Sequence, residues 1–347
     1  MRVSGLVLIG SALLFVPVSS MAAPADIARH FADAFAIPRF KAVSAAAHTQ
    51  EKAWVAFCVN RKRGKIEALN QAYDDLSDAW SDVEFVRMGP AAQALRVDRF
   101  NWWLDRTNAT GKALTAMMAA KPEDLTVEKL ALGSVAGQGL PIIERLLYPA
   151  TEGKQLKAKD GEQRCLVGEA AAREQSTIAD QIVSDWTSAD GAQAALIANK
   201  PWKSSFADAN EAASVMMTDL VAGLEILKDR KVAMEFHDIM NPNALRLTED
   251  SRSGRTLRDI SRNLAAIRQG LASFLAPATP AQRTQLDAAF DDADRALKDL
   301  EAAKDEPART GAVKQALAVF GTLAQTAMTL VPQATGLTLG FNNLDGD

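Results

Sequence analysis

The residues best suited to chemistry lie in an apolar helical segment, residues 137–148, that two glycines and a proline interrupt. In a helix interior Gly costs about 1 kcal/mol and Pro about 3 kcal/mol, so the interruption needs a reason. It can let the backbone approach another group closely, or it can expose N–H groups at a new helix start at Pro141. Glu144 would lie one turn into that helix, on the same face as Leu140 and Pro141. Its carboxylate could bind a ligand, or it could simply pair with a nearby arginine.

A second candidate is the turn formed by Arg252, Ser253 and Gly254. Gly254 permits tight backbone geometry, and Thr256 is placed to cap the helix that follows. The helix N-terminus, together with Arg252 and Arg255, would favour an anion. The alternative is an ordinary loop that leads into a helix.

Trp102 and Trp103 are adjacent in sequence, within a segment that we predict to be a helix at 91–118. On a helix they would point about 100° apart, so they could not both pack into one seam. We expect one of them in the core and the other, taken to be Trp103, in a cleft with Asp105 close by.

The three histidines give little support for catalysis. No HExxH zinc motif, P-loop, dinucleotide-binding loop or GxSxG motif occurs in the sequence, and we assign no catalytic residue. His48 and Glu51 have an i, i+3 spacing that bundle metal sites use, which makes them weak metal candidates. The same spacing arises often by chance in an acidic helical protein. His237 is expected in a solvated loop, and the oxygen-rich tail from Asn342 to Asp347 is expected in solvent.

The first residues are typical of an export signal. Arg2 precedes an apolar run at 5–18, and small residues follow at 19–23. This run is shorter than the ~20 residues that a membrane-spanning helix needs, so a membrane anchor is the weaker alternative. We expect cleavage near Ala22 and a mature chain in the periplasm, without a membrane span.

Export gives a meaning to the two cysteines of the chain, Cys58 and Cys165. In an oxidising compartment a lone pair of cysteines usually forms a disulfide, although two buried free thiols are the alternative. A bond between them would confine both residues to one domain. We therefore expect an N-terminal domain at 23–198 and a C-terminal domain at 199–347, after a signal peptide at 1–22.

Composition predicts an all-α fold. Alanine supplies 64 of the 347 residues and aromatic residues only 6%, which favours helices over sheets. Apolar residues recur at the offsets of a helix-bundle seam in two segments, 66–83 and 257–274. The expected helices divide into two antiparallel four-helix-bundle-like domains. The net charge of −4 argues against nucleic acid as a partner.

Several segments together resemble the imelysin family. Gly139, Pro141 and Glu144 align with its G-x-H-x-x-E motif, which a large apolar run follows. Weaker similarity extends over most of the chain, in the segments 85–90, 100–105, 223–225, 252–260 and 340–347. Pro141 stands where the family motif has histidine, and proline can neither ligate a metal nor move a proton.

The resemblance implies two helical bundles with a site at their interface, a link to iron uptake, and a classification of founding members as metallopeptidases. We predict a non-enzymatic periplasmic binding or accessory protein for the uptake of iron or another small ligand, with an envelope protein as a second partner. The alternatives are a metal-dependent peptidase, which would use a metal ion such as iron or zinc, and a purely structural scaffold. The expected ligand-binding residues are Gly139, Pro141, Glu144, Asp105, Trp103, Arg252 and Ser253.

Overall fold

The computed structural model describes residues 23–148, 155–158, 161–243 and 245–340. The predicted signal peptide and the tail from Asn342 to Asp347 lie outside the described residues. Within the described part there is no β-strand, only an isolated bridge between Trp202 and Phe206. The all-α prediction is confirmed.

Fourteen α-helices are present in the described ranges. In chain order they are α1 (Pro24–Phe31), α2 (Ile37–Val59), α3 (Ile66–Ser81), α4 (Arg96–Phe100), α5 (Ala109–Ala119), α6 (Val127–Ala131), α7 (Gly139–Leu147), α8 (Gly161–Thr187), α9 (Ala192–Ala198), α10 (Ala209–Ile226), α11 (Ala233–Met240), α12 (Thr256–Ala272), α13 (Pro280–Ala302) and α14 (Glu306–Thr335). One π-helical turn, Ala32–Ala36, joins α1 to α2, and another, Leu227–Val232, joins α10 to α11.

The helices form two bundle-like groups, as the fold prediction expected. In the first group α2 packs mainly on α8 and α3, and α7 packs on α8 and α3. In the second group α14 packs along α13 and α10, while α12 packs on α10 and α13. The short first helix, α1, packs mainly on α10 of the second group, although α2 continues it into the first group. The domain boundary at 198/199 stays a prediction.

The two predicted seams explain the cores of α3 and α12. Leu69, Tyr73, Leu76 and Trp80 of α3 are all buried, and the side chains of α12 at the same offsets are buried as well. Apolar residues at this spacing share one helix face, so each helix buries a stripe and leaves its polar side toward solvent or toward ion pairs. The predicted disulfide between Cys58 and Cys165 is present and ties the end of α2 to the start of α8.

The predicted helix at 91–118 is wrong. A 3₁₀ segment (Gly89–Leu95) and α4 are followed by irregular backbone through Asn108, and α5 begins at Ala109. Trp102 and Trp103 lie in this irregular stretch, so the helical argument for their directions does not apply. Tertiary hydrogen bonds hold the stretch: Asn101 Nδ2 donates to Glu249 Oε1 (2.7 Å) and Trp103 Nε1 donates to Leu247 O (3.0 Å).

Two smaller expectations are also wrong. His237 lies on α11 and not in a loop, and its Nδ1 contacts the carboxylate of Asp238 (3.1 Å). Thr256 does not cap α12, because its hydroxyl donates to Glu249 O (2.6 Å). The predicted turn geometry at Gly254 is confirmed by its φ of +73°.

Candidate functional site

A cavity of about 430 Å³ opens between the two groups of helices, and we call it the interbundle pocket. The first group contributes the irregular stretch after α4, the start of α5 and one face of α7. The second group contributes the segment 245–252, which precedes α12. The lining residues are Asn101, Trp102, Trp103, Asp105, Thr110, Pro141, Glu144, Arg145, Tyr148 and residues 245–252.

The helix α7 reaches this position because Gly139 allows a close approach to α4. Its φ is +73°, a conformation that favours glycine. A Cβ atom added at Gly139 would lie 2.2 Å from Phe100 O and 2.6 Å from Arg99 O. The sequence analysis suggested that the interruption of the helix allows a close approach to another group. The groups that approach Gly139 are the backbone carbonyls of Arg99 and Phe100. Gly139 itself lies behind the pocket wall and does not line the cavity.

Pro141 and Glu144 both line the pocket, on the face of α7 that the sequence predicted. Glu144 Oε1 accepts three hydrogen bonds, from Arg252 N (3.0 Å), Ser253 N (2.9 Å) and Ser253 Oγ (3.0 Å). Burial raises the pKa of Glu144, while these donors and the Arg252 charge oppose the increase. One carboxylate oxygen therefore joins α7 to the turn before α12.

The segment that follows α11 is held in place by further carboxylates. Asp238 accepts hydrogen bonds from the backbone N–H groups of Leu247 (2.9 and 3.0 Å) and Thr248 (2.8 Å) and from the Thr248 hydroxyl. Glu249 Oε2 lies 2.6 Å from the buried ammonium of Lys231. These contacts hold Leu247, Thr248 and Glu249 in the pocket wall.

Asp250, a partly buried residue of this wall, has the buried Asp259 as its neighbour. Tyr73 donates its hydroxyl to Asp250 Oδ1 (3.0 Å), and Asp250 also contacts Asp259. Burial and the charge of Glu144 raise the pKa of Asp250 to about 6. Burial and the charge of Asp250 raise the pKa of Asp259 to about 10. Two carboxylates in contact favour one shared proton, so a neutral Asp259 is expected at neutral pH.

Asp105 lies at the opposite wall, where it caps α5. Its two oxygens accept from Ala109 N (2.7 Å) and Thr110 N (3.0 Å), and Arg145 Nη2 is 3.6 Å from Oδ2. Trp102 and Trp103 both line the pocket and are partly exposed, so the expectation that one of them packs in the core is wrong. Both indoles also face a neighbouring cleft of about 1120 Å³.

Arg255 is not available for an anion, contrary to the expectation. Its guanidinium is buried, forms ion pairs with Asp74 (3.0 Å) and Asp78, and donates a hydrogen bond to Asp259 Oδ1 (2.8 Å). Arg252 differs, since its backbone N–H binds Glu144 while its side chain is exposed at the pocket.

His48 and Glu51 lie on α2, away from the pocket. His48 Nε2 contacts Asp180 (2.9 Å), its Nδ1 is 3.7 Å from Glu51 Oε2, and Glu51 also binds Arg173 and Ser176. In the described part of the chain, no group of three or more His, Cys, Asp or Glu side chains is arranged to hold a metal ion. A metal role for His48 and Glu51 stays a prediction.

Sequence reasoning did not identify several residues of the pocket. Arg145, Tyr148 and the segment 245–251 line it, and Tyr73 and Lys231 support it from below. The length and polar composition of residues 237–254 were the available signals for the missed wall. Tyr73 gave none, because its position in the α3 seam is fully explained by packing.

Within the described residues, then, this is a helical two-bundle protein with a polar pocket where the bundles meet. The imelysin family model (peptidase M75) matches residues 36–329, so the chain belongs to the imelysin family. No curated protein matches the chain.

Two solved structures share the fold. An imelysin-like protein from Psychrobacter arcticum 273-4 has a TM-score of 0.75 at 18% identity, covering 93% of this chain and 100% of its own. A protein from Parabacteroides distasonis ATCC 8503, proposed to be an iron-regulated protein A precursor, has a TM-score of 0.74 at 14% identity, covering 90% of this chain and 95% of its own. Among the described residues, no helix has the length and apolar character needed to cross a membrane.

Proposed function

We propose that the chain is a periplasmic binding or accessory protein that takes a small ligand into the interbundle pocket. In this proposal residues 1–22 are an export signal cleaved near Ala22, and the domains at 23–198 and 199–347 each supply one wall of the pocket. The structural neighbour proposed to be iron-regulated supports a link to the uptake of iron, as a metal ion or in a complex. An envelope protein would be the partner that delivers or receives the ligand.

The main support for the proposal is that the motif residues in the pocket, Pro141 and Glu144, are poorly suited to bind a catalytic metal. Pro141 lines the cavity at the family's histidine position, and none of the three histidines of the chain lines it. Glu144 Oε1 is occupied by three donors from the opposite wall. A zinc peptidase needs about three protein ligands and an open position, usually including histidine. The pocket instead has aromatic walls and several polar groups, which are features of ligand sites.

A purification from periplasm without an affinity tag tests the proposal. Native mass spectrometry and elemental analysis should find a bound small molecule or metal complex in the wild type. Ser251→Trp, which adds bulk at the pocket lining, should lose it. Glu301→Trp, on the exposed face of α13, is the matched control and should retain it.

The peptidase alternative makes an opposite prediction. The protein would be incubated with an unfolded polypeptide and stoichiometric zinc(II) or iron(II), with and without a chelator. Chelator-sensitive cleavage that is lost in Glu144→Gln and kept in Glu301→Gln would overturn the binding proposal. We expect no cleavage in any of these samples.

A further inference from the structure

The carboxylates of the interbundle pocket are already bound by donors of this chain. Asp105 accepts two backbone N–H groups of α5, and Glu144 accepts three donors from the turn before α12. Glu249 accepts from Asn101 and pairs with Lys231, and Asp250 accepts from Tyr73. Because donors of the chain already occupy these carboxylate oxygens, the acidic groups have little remaining capacity to bind a cation.

The guanidinium groups of the pocket, in contrast, have no close acceptor within the described part of the protein. Arg145 is 3.6 Å from its carboxylate partner Asp105, and Arg246 is 3.9 Å from Asp238. The guanidinium of Arg252 makes no hydrogen bond or ion pair with any residue that the structure describes. Burial and the nearby charge of Arg252 lower the pKa of Arg145, so an added negative charge would stabilise both cations.

Two further donors in the pocket wall have no acceptor. The Thr110 hydroxyl is buried without a hydrogen-bond partner, in a residue that is only 1% exposed. The indole N–H of Trp102 is also buried and unpartnered. An indole N–H can only donate, so the group that satisfies it must be an acceptor.

We propose that the ligand of the interbundle pocket is an anion with carboxylate or phosphate oxygens, which Arg145, Arg246 and Arg252 bind. The inference rests on the proposed binding function and adds the charge of the ligand to it. Guanidinium groups suit such oxyanions because their N–H donors match the geometry of two oxygens. If iron is transported, it enters this pocket within an anionic chelate and not as a bare cation.

The tryptophans of the chain provide a direct test of the sign of the electrostatic potential in the pocket. Trp54, Trp80, Trp186 and Trp202 are at most 4% exposed, whereas Trp102 and Trp103 line the pocket and are partly exposed. Ionic quenchers of fluorescence therefore report mainly on these two indoles. Iodide and caesium quenching would be measured at constant ionic strength and normalised to free N-acetyltryptophanamide.

We expect normalised quenching by iodide to exceed that by caesium by about threefold or more, because the exposed guanidinium groups of Arg246 and Arg252 attract anions to the pocket. The double variant Arg246→Gln/Arg252→Gln should bring the ratio close to one. Arg295→Gln/Lys298→Gln removes the same charge from the exposed face of α13 and should leave the ratio unchanged. A ratio that favours caesium, or one that the pocket variant does not change, would overturn the inference.

Calorimetry with citrate, inorganic phosphate and zinc(II) alone separates the sources of the oxygens. Citrate binding alone indicates a carboxylate ligand, phosphate binding alone indicates a phosphate ligand, and either should weaken at least about tenfold in Arg145→Gln. Zinc(II) binding that depends on Glu144, without binding of either anion, overturns the anion inference and leaves the proposed binding function standing. Binding of none of the three also overturns the inference, whereas chelator-sensitive cleavage overturns the proposed function itself.

Discussion

Replacing Gly139 with alanine should be among the most damaging small changes to this protein. The residue has φ +73°, and a left-handed conformation costs an alanine about 1–2 kcal/mol. Its new Cβ would lie 2.2 Å from Phe100 O, a backbone atom that no rotamer change can move. The two helices must therefore move apart. Overpacking of this kind typically costs about 1–3 kcal/mol more. We expect a total loss of about 2–5 kcal/mol in unfolding free energy.

Gly254 supplies the matched control. It also has φ +73°, but a Cβ added there would meet nothing within 4 Å. Gly254→Ala therefore carries the backbone cost without the collision and should lose only about 1–2 kcal/mol. The difference between the two variants isolates the contact between α7 and α4.

Urea denaturation followed by far-UV circular dichroism gives both free energies, and equal m-values would show that the denatured states are comparable. If Gly139→Ala loses no more stability than Gly254→Ala, within about 0.5 kcal/mol, the close approach does not determine the position of α7. The same variant should also weaken citrate binding, since Pro141 and Glu144 move with the helix.

Three other predictions concern stability. Replacing both Cys58 and Cys165 by serine opens a loop of 107 residues and should cost about 4–5 kcal/mol; an unchanged urea midpoint would contradict this. Because burial raises the pKa of Glu144, the wild type should lose stability relative to Glu144→Gln as pH rises above the unfolded value near 4.3, and a difference independent of pH would refute the assignment. The raised pKa of Asp259 predicts a pH dependence of the same direction. The unfolding free energy of Asp259→Asn relative to the wild type should increase between about pH 4 and pH 9, which urea titrations across that range would measure.

The sequence predicted those parts of the fold that periodicity and simple chemistry control. The seams of α3 and α12 depend on the spacing of apolar residues, and the disulfide depends on there being one pair of cysteines in the chain. The juxtaposition of Glu144 with Arg252 and Ser253 was expected because both segments resembled parts of one family site. The structure places Glu144 Oε1 within hydrogen-bonding distance of both.

The features that the sequence did not predict all depend on tertiary contacts. The stretch after α4 has helix-compatible residues, but hydrogen bonds from Asn101 and Trp103 to the segment before α12 hold it in an irregular conformation. Tyr73 has the pattern of an ordinary core residue, and its hydroxyl acquires a role only when Asp250 is brought beside it. Such pairings join residues far apart in the chain, and local propensity carries no information about them.

The position of α1 has a consequence for the order of folding. Domains often fold one after another from the N-terminus as the chain emerges. Here the first helix of the described chain finds its main partner, α10, in the second group of helices, and α2 carries the same helix line into the first group. The first group can therefore assemble early, but α1 lacks its main packing partner until α10 has been made. A chain stopped before α10 would lack the main partner of the apolar face of α1, which includes Ile27 and Phe31, and would expose part of that face to solvent or to a chaperone.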